Sequence, residues 1–253
     1  MSAKIDRRTL LRAGLAAAAS GAGLAAAAEI ARRYGLIPPD HGGLYGIGET
    51  LTYGTQRALM ATHSMAREFS RRDISKVAPV NGDPPETDEY QRLLVREFSA
   101  WRLVVDGLVT RPASFSLDDL RRLPSRSQIT HQACEEGWSF IAEWTGVALT
   151  TLLDVVWARP DARFVVFYPF DECWDSLDIA EARHPQTLLA YGMNGGDLPA
   201  GHGAPLRLRV PRQLGYKSIK YLSRITLVDS LDRVKNGKGS LAPDLGYSWY
   251  AGI

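Results

Sequence analysis

Apolar and polar positions change period several times along the chain, and each change predicts an element. Leu59, Met60, His63 and Arg67 fall at helical spacings, so Thr55–Phe69 is predicted to be helical. Residues 40–55, with five glycines, read as a loop. Asn81-Gly82-Asp83-Pro84-Pro85 is a strong breaker. Trp101–Val105 reads as a strand that ends at Asp106-Gly107. Ser116 with Asp119 three residues later is a capping pair for a short helix that stops before Pro124. Ser127–Ala133 is extended. Val147, Leu149, Leu152, Leu153 and Val156 share one stripe, which predicts a helix over Val147–Trp157. Arg163–Tyr168 is a short apolar run of buried-strand type. Leu188–Tyr191 leads into Asn194-Gly195-Gly196-Asp197, a hairpin-type turn. Leu206–Val210 alternates leucine and arginine, the pattern of a half-buried strand, and Tyr221–Val228 is the last strand. From Lys235 the tail is aromatic and bears Gly and Pro without a period. Many short strands and few short helices specify a β-rich α+β fold in one domain.

Composition narrows the class. Hydrophobic residues make up 45% and charged residues 23% of 253, as in an ordinary soluble globular chain with a sizeable core. The net charge is +2. Residues 1–28 carry Lys4, Arg7, Arg8 and Arg12 against Asp6, so the remainder is close to neutral. Such a body gives no support for nucleic-acid binding, which needs a clustered basic face. Arg7-Arg8 followed by Leu10-Leu11, and then an uncharged run rich in Ala and Gly up to Ala28, predict a twin-arginine export signal and a periplasmic destination. The alternative is an N-terminal membrane anchor, for which the uncharged run is short. The twin-arginine route carries folded proteins, and a common reason to need it is a cofactor inserted before export.

Three constellations carry candidate chemistry. In the first, Thr130 to Trp138, a lone Cys134 follows an extended run and enters a turn with Glu135, Glu136 and Gly137. A thiolate there suits a thiophilic metal, and the alternative is a buried structural cysteine. In the second, glycines flank His202, and Arg207 follows at a strand start with donors suited to phosphate. The alternative is a turn followed by a strand with solvated arginines. In the third, Gly215 to Lys220 puts Ser218 between Lys217 and Lys220, an anion-holding turn or else an exposed basic loop. Two cysteines, Cys134 and Cys173, make no disulfide framework, although one bridge between them is possible in an oxidising compartment.

The order of these motifs, Cys134-Glu135-Glu136-Gly137-Trp138, then Asn194 to Pro211, then Lys217 to Lys220, resembles the sulfite-oxidase-fold family of molybdopterin oxidoreductases over about residues 100–230. Within it the chain looks most like the short bacterial members typified by the catalytic subunit of periplasmic methionine sulfoxide reductase. The resemblance implies a molybdenum–molybdopterin cofactor with Cys134 as the metal ligand. It implies that His202 and Arg207 contact the pterin and its phosphate, and that Ser218, Ile219 and Lys220 complete the phosphate pocket. Asp171 and His63 lie near further pterin contacts of the family. Cys173 matches none and reads as structural. On this reading 1–28 is the signal, 29–99 packs loops and helices on the core, 100–230 binds the cofactor and 231–253 is a tail.

Twenty-five residues follow Val228, too few for the family's C-terminal immunoglobulin-like domain. Cys-x-x-Cys-His is absent, so no haem is expected and electrons are expected to pass to or from a separate partner such as a membrane cytochrome. Sulfite oxidases place a basic residue soon after the ligand cysteine, whereas here two glutamates follow it. Like charges about 4 Å apart in a partly buried site repel by several kcal/mol, so the expected substrate is a small neutral molecule, such as a sulfoxide, that exchanges an oxygen atom. The alternatives are a sulfite oxidase-type dehydrogenase, a non-catalytic periplasmic binding protein of this fold, and a thiol redox protein using Cys134 and Cys173.

Overall fold

The computed structural model describes residues 46–60 and 63–253, together with Gly23, Ala26, Ile37 and Pro38. Apart from Gly23 and Ala26, the predicted export signal lies outside the described residues, as do residues 40–45 of the glycine-rich stretch.

Helix α1 spans Ile47–Leu59, earlier than the predicted Thr55–Phe69. Tertiary contacts explain the shift. Tyr53 is buried with its ring 5.5 Å from that of Tyr250, and Arg57 pairs with Asp178 at 3.0 Å. These anchors hold a helix across Gly48 and Gly54 that local propensity argues against. Beyond it the chain runs mostly without helix. The backbone N–H of Phe69 donates to Ile129 O, and that of Ser75 to Ile141 O. Helix α2 (Asp88–Val95) is capped by Thr87 and buries Tyr90.

Strands β1 (Leu103–Gly107) and β2 (Ala113–Phe115) precede helix α3 (Leu117–Arg122). Ser116 and Asp119 cap α3 reciprocally, as predicted: Asp119 N–H donates to Ser116 Oγ at 3.1 Å and Ser116 N–H to Asp119 Oδ2 at 2.9 Å. Strands β3 (Ser125–Ala133) and β4 (Ser139–Ala148) form a long antiparallel hairpin. Helix α4 covers Leu149–Val155, shorter than the stripe predicted, because Val147 belongs to β4 and faces the same core. Strands β5 (Phe164–Pro169) and β6 (Asp175–Asp178), helix α5 (Ile179–Ala182) and strand β7 (Leu188–Met193) follow. The turn after β7 has φ of 51° at Asn194 and 84° at Gly195, the backbone that the Asn-Gly pair favours, and leads into β8 (Gly196–Asp197). Strands β9 (Arg207–Arg209) and β10 (Leu222–Val228) complete the set.

The strands make two sheets. One runs β2-β1-β10-β5-β6, with β1 and β10 parallel and the other pairs antiparallel. The other runs β3-β4-β7-β8, with β9 also paired to β7. The main core joins Leu103 and Val105 of β1 and Ile225 of β10 to Leu152 of α4, Leu189 of β7 and Leu208 of β9. Gly107 closes β1 at φ 82°, where an added Cβ would meet Leu227 O at 2.2 Å, so no larger residue fits there. Strand β9 departs from the half-buried expectation. Arg207 and Arg209 are buried together with Leu208, because the Lys217–Tyr221 segment packs over the arginine-bearing face.

Candidate active site

One cavity of about 480 Å³ gathers the three sequence constellations. Its walls include Cys134 after β3, His202 and Arg207 around β9, Ser218 to Tyr221 before β10, and Asp171 and Cys173 after β5. The elements converge through backbone packing. Arg209 donates to His131 O at 2.5 Å, which ties β9 to β3. Gly215 lies so close to the end of β3 that a Cβ would meet Gln132 Nε2 at 2.6 Å.

Cys134 opens the turn between β3 and β4. Its N–H donates to Trp138 O at 2.9 Å, and Gly137 N–H donates back to Cys134 O at 3.1 Å. Gly137, at φ 90°, supplies the left-handed residue that the turn needs. The thiol is buried in the cavity wall. Asn81 Nδ2 donates to its sulfur at 3.6 Å, and Glu135 Oε2 lies 3.4 Å from it. Glu136 Oε2 is held by Trp138 Nε1 at 2.8 Å. Burial pushes the Cys134 thiol above its ordinary range, and the Glu136 backbone N–H and Asn81 work against that rise. A bound metal cation would reverse the balance and hold a thiolate. Among the described residues, no three His, Cys, Asp or Glu side chains cluster to hold a metal. A metal at Cys134 would therefore bring its other ligands with it.

Across the cavity the groups are basic. Arg207 donates to His202 O and Ser218 O, each at 2.9 Å, and its guanidinium lies 4.9 Å from the centroid of the Trp144 ring. Burial brings Arg207 down to about 10. Lys220 donates to Asn81 O at 2.6 Å and Gly201 O at 3.1 Å; burial first, then Arg207, lowers it to about 8. The His202 imidazole falls to about 4 by burial, helped by Arg207 and Lys220, and is neutral at pH 7. Ser218 Oγ accepts from Arg209 at 3.2 Å and Val210 N–H at 3.1 Å, which leaves its hydroxyl proton to donate. An anion placed here would offset each of the cationic shifts. The donor set fits a phosphorylated, polar heterocycle. Two further buried atoms in the wall, Tyr221 OH and Gln132 Oε1, have no protein partner among the described residues.

The cavity thus brings together Cys134, His202, Arg207, Ser218, Ile219, Lys220 and Asp171. Asp171 accepts from Cys173 N–H at 2.9 Å, and burial raises its carboxyl, with Lys220 opposing. His63 is exposed and outside the cavity wall, because α1 ends at Leu59 instead of carrying it inward. Cys173 is exposed at the cavity, not part of a core, and both cysteines are free thiols. Lys217 is buried and bonded to Asp175 at 2.6 Å, so it belongs to neither an anion turn nor a solvated loop. Sequence reading passed over Asn81, Tyr221 and Gln132. Asn81 lies in the breaker at 81–85, where a polar residue reads only as turn chemistry.

Comparisons with known proteins bear on the family and the fold. The family model described as oxidoreductase molybdopterin binding domain matches residues 91–233, more than half of the chain. The chain is 42% identical over 160 residues to the "Putative protein-methionine-sulfoxide reductase subunit YedZ1" of Azospira oryzae, covering 62% of this chain and 59% of that one. The crystal structure of the sulfane dehydrogenase SoxCD from Paracoccus pantotrophus matches with a TM-score of 0.50 and 25% identity, over 53% of this chain and 40% of that one. The chain spans less than two thirds of the length of each of these relatives.

Proposed function

Because this chain belongs to the oxidoreductase molybdopterin-binding-domain family and has its sulfite-oxidase-type fold, we propose that it is an exported reductase that removes the oxygen atom from a small neutral sulfoxide. The observation that carries this reading is the cavity itself: a buried thiol flanked by two glutamates faces a buried arginine that has no carboxylate partner among the described residues.

Cys134 is the protein ligand to molybdenum. His202, Arg207, Ser218, Ile219 and Lys220 hold the pterin and its phosphate, with Asp171 beside Lys220. The bound group supplies two-electron redox chemistry and oxygen-atom exchange. The chain's own residues bind, orient and select. Arg207 and Lys220 meet the phosphate charge, Ser218 donates its hydroxyl proton, and the neutral His202 offers a hydrogen bond without adding a charge. Glu135 and Glu136 stand on the wall beside Cys134 and disfavour an anionic substrate such as sulfite. A sulfoxide meets no such repulsion. Its reduction takes two electrons and two protons and yields a thioether and water. The Azospira relative is named for methionine sulfoxide and as a subunit, which supports both the substrate class and an electron-delivering partner, a membrane cytochrome by its chemistry. The Arg7-Arg8 signal supports a periplasmic location. A dehydrogenase acting on a reduced sulfur compound, the activity named for the Paracoccus protein, is the second reading, and the two glutamates count against an anionic form of it.

The test is purification from a host with an intact molybdenum-cofactor pathway, the signal retained, followed by metal analysis and turnover of methionine sulfoxide with a reduced viologen dye. About one molybdenum per chain with sulfoxide reduction is expected. The Cys134→Ser variant should lose that activity while keeping its fold. Full activity in the variant would remove Cys134 as ligand, and a folded wild type free of molybdenum would favour a non-catalytic binding protein.

A further inference from the structure

The C-terminal segment lies beyond the residues that the family model matches, yet it builds part of the cavity wall. Its end is fixed. Trp249 is buried, donates to Ser176 Oγ at 2.9 Å and covers Lys217 at 5.0 Å. Leu214 N–H donates to Ala251 O, and Ile253 N–H to Arg212 O. Upstream of that anchor, a short 3₁₀ turn at Ala242–Leu245 hangs at the rim of the cavity. Leu241 N–H donates to Trp174 O at 3.3 Å. Tyr247 stacks on Tyr216 with ring centroids 5.4 Å apart, and Tyr216 donates to Ser248 O at 2.6 Å. Leu245 and Tyr247 nonetheless stay 65% and 39% exposed while lining the cavity. Apolar surface left in water beside a cavity gains free energy when an apolar ligand covers it.

We propose that Leu241–Tyr247 is a specificity clasp, in which Leu245, Tyr247, Tyr216 and Trp174 cover the aliphatic arm of a methionine-sulfoxide side chain. This rests on the sulfoxide-reductase reading. The polar sulfoxide oxygen points inward to the Cys134 side, and the uncharged chain that carries it leaves past Leu245. The clasp therefore discriminates by the length of the apolar arm. Dimethyl sulfoxide carries only two methyl groups on its sulfur and has no arm for the clasp to cover.

The test compares the molybdenum-loaded wild type with Leu245→Ala and Tyr247→Ala on two substrates, N-acetyl-methionine-sulfoxide methylamide and dimethyl sulfoxide. The expected result is a KM about tenfold higher for the methionine derivative in each variant, in the range that loss of apolar contact produces. The KM for dimethyl sulfoxide should stay within about twofold, and molybdenum content should match the wild type. Unchanged KM values in active variants, or an equal rise for both substrates, would overturn the clasp alone. A wild type that carries molybdenum but reduces neither sulfoxide overturns the reductase reading, and the clasp with it.

Discussion

Four buried cations lie within eleven residues of one another, Arg207, Arg209, Arg212 and Lys217, and they divide into two kinds. Arg212 is paired twice with Glu181, at 2.6 and 3.2 Å, and Lys217 bonds Asp175 at 2.6 Å. Arg207 and Arg209 have no carboxylate partner among the described residues. Backbone carbonyls, the hydroxyls of Thr130 and Ser218, and the Trp144 ring surround them. All four are buried, and Arg212 shares its residue type with Arg207 and Arg209, so for the arginines only the countercharge separates the two kinds. The paired cations belong to the framework. The unpaired ones carry an uncompensated desolvation cost that an anion relieves. Arg207 reaches the cavity, while Arg209 lies behind it and holds Ser218 in place.

The sharpest way to break this comparison is to remove one cation of each kind. Arg212→Met strands Glu181 in the core and should cost about 3–5 kcal/mol of unfolding free energy, read by urea denaturation of the cofactor-free chain. A loss under about 1 kcal/mol would erase the distinction. The next effect is pH dependence. Folding holds His202 at about 4, below its ordinary value of 6.5, because burial excludes the imidazolium. Between those values the unfolded chain takes up a proton that the folded one does not. Stability from this group is therefore complete above about pH 6.5 and declines as pH falls toward 4, by at most about 1.4 kcal/mol per pH unit. His202→Phe should flatten the cofactor-free stability profile in that window, and an unchanged slope would refute the assignment. The smallest effect on stability belongs to Arg207→Met. The cofactor-free chain should lose less than it does in Arg212→Met, since two carbonyl acceptors, His202 O and Ser218 O, lose a donor but no partner charge is stranded. The same substitution should reduce the pterin recovered with the purified protein at least about tenfold, because a charge-assisted phosphate contact is lost. Undiminished pterin content would show that Arg207 does not hold the cofactor.

Much of the framework was legible locally. Ser116 and Asp119 cap a helix because one side chain satisfies the other's backbone, and Asn194-Gly195 turns a hairpin because both residues tolerate positive φ. The cysteine at the end of β3 was readable for the same reason: an extended run followed by a glycine-bearing turn fixes a side chain at a strand end. Expectations that needed a neighbour fared worse. The α1 helix shifted because Tyr53 and Arg57 found partners at Tyr250 and Asp178, far along the chain. His63 therefore faces solvent, and Cys173, read as structural, is exposed at the cavity instead. The aromatic tail gave no period because the adjacent Trp249 and Tyr250 both pack on Tyr53 of α1, a contact nearly two hundred residues away that no regular element of the tail creates.

The sequence by itself determined the order of the elements, the strand-end thiol with its two glutamates, and the basic run from Arg207 to Lys220, since each depends on residue types at short separation. Tertiary structure alone decided which of those basic groups are spent. Glu181 and Asp175 reach Arg212 and Lys217 from more than thirty residues away and leave Arg207 without a countercharge. A buried charge acquires its meaning from what surrounds it in space, and no local pattern along the chain records that.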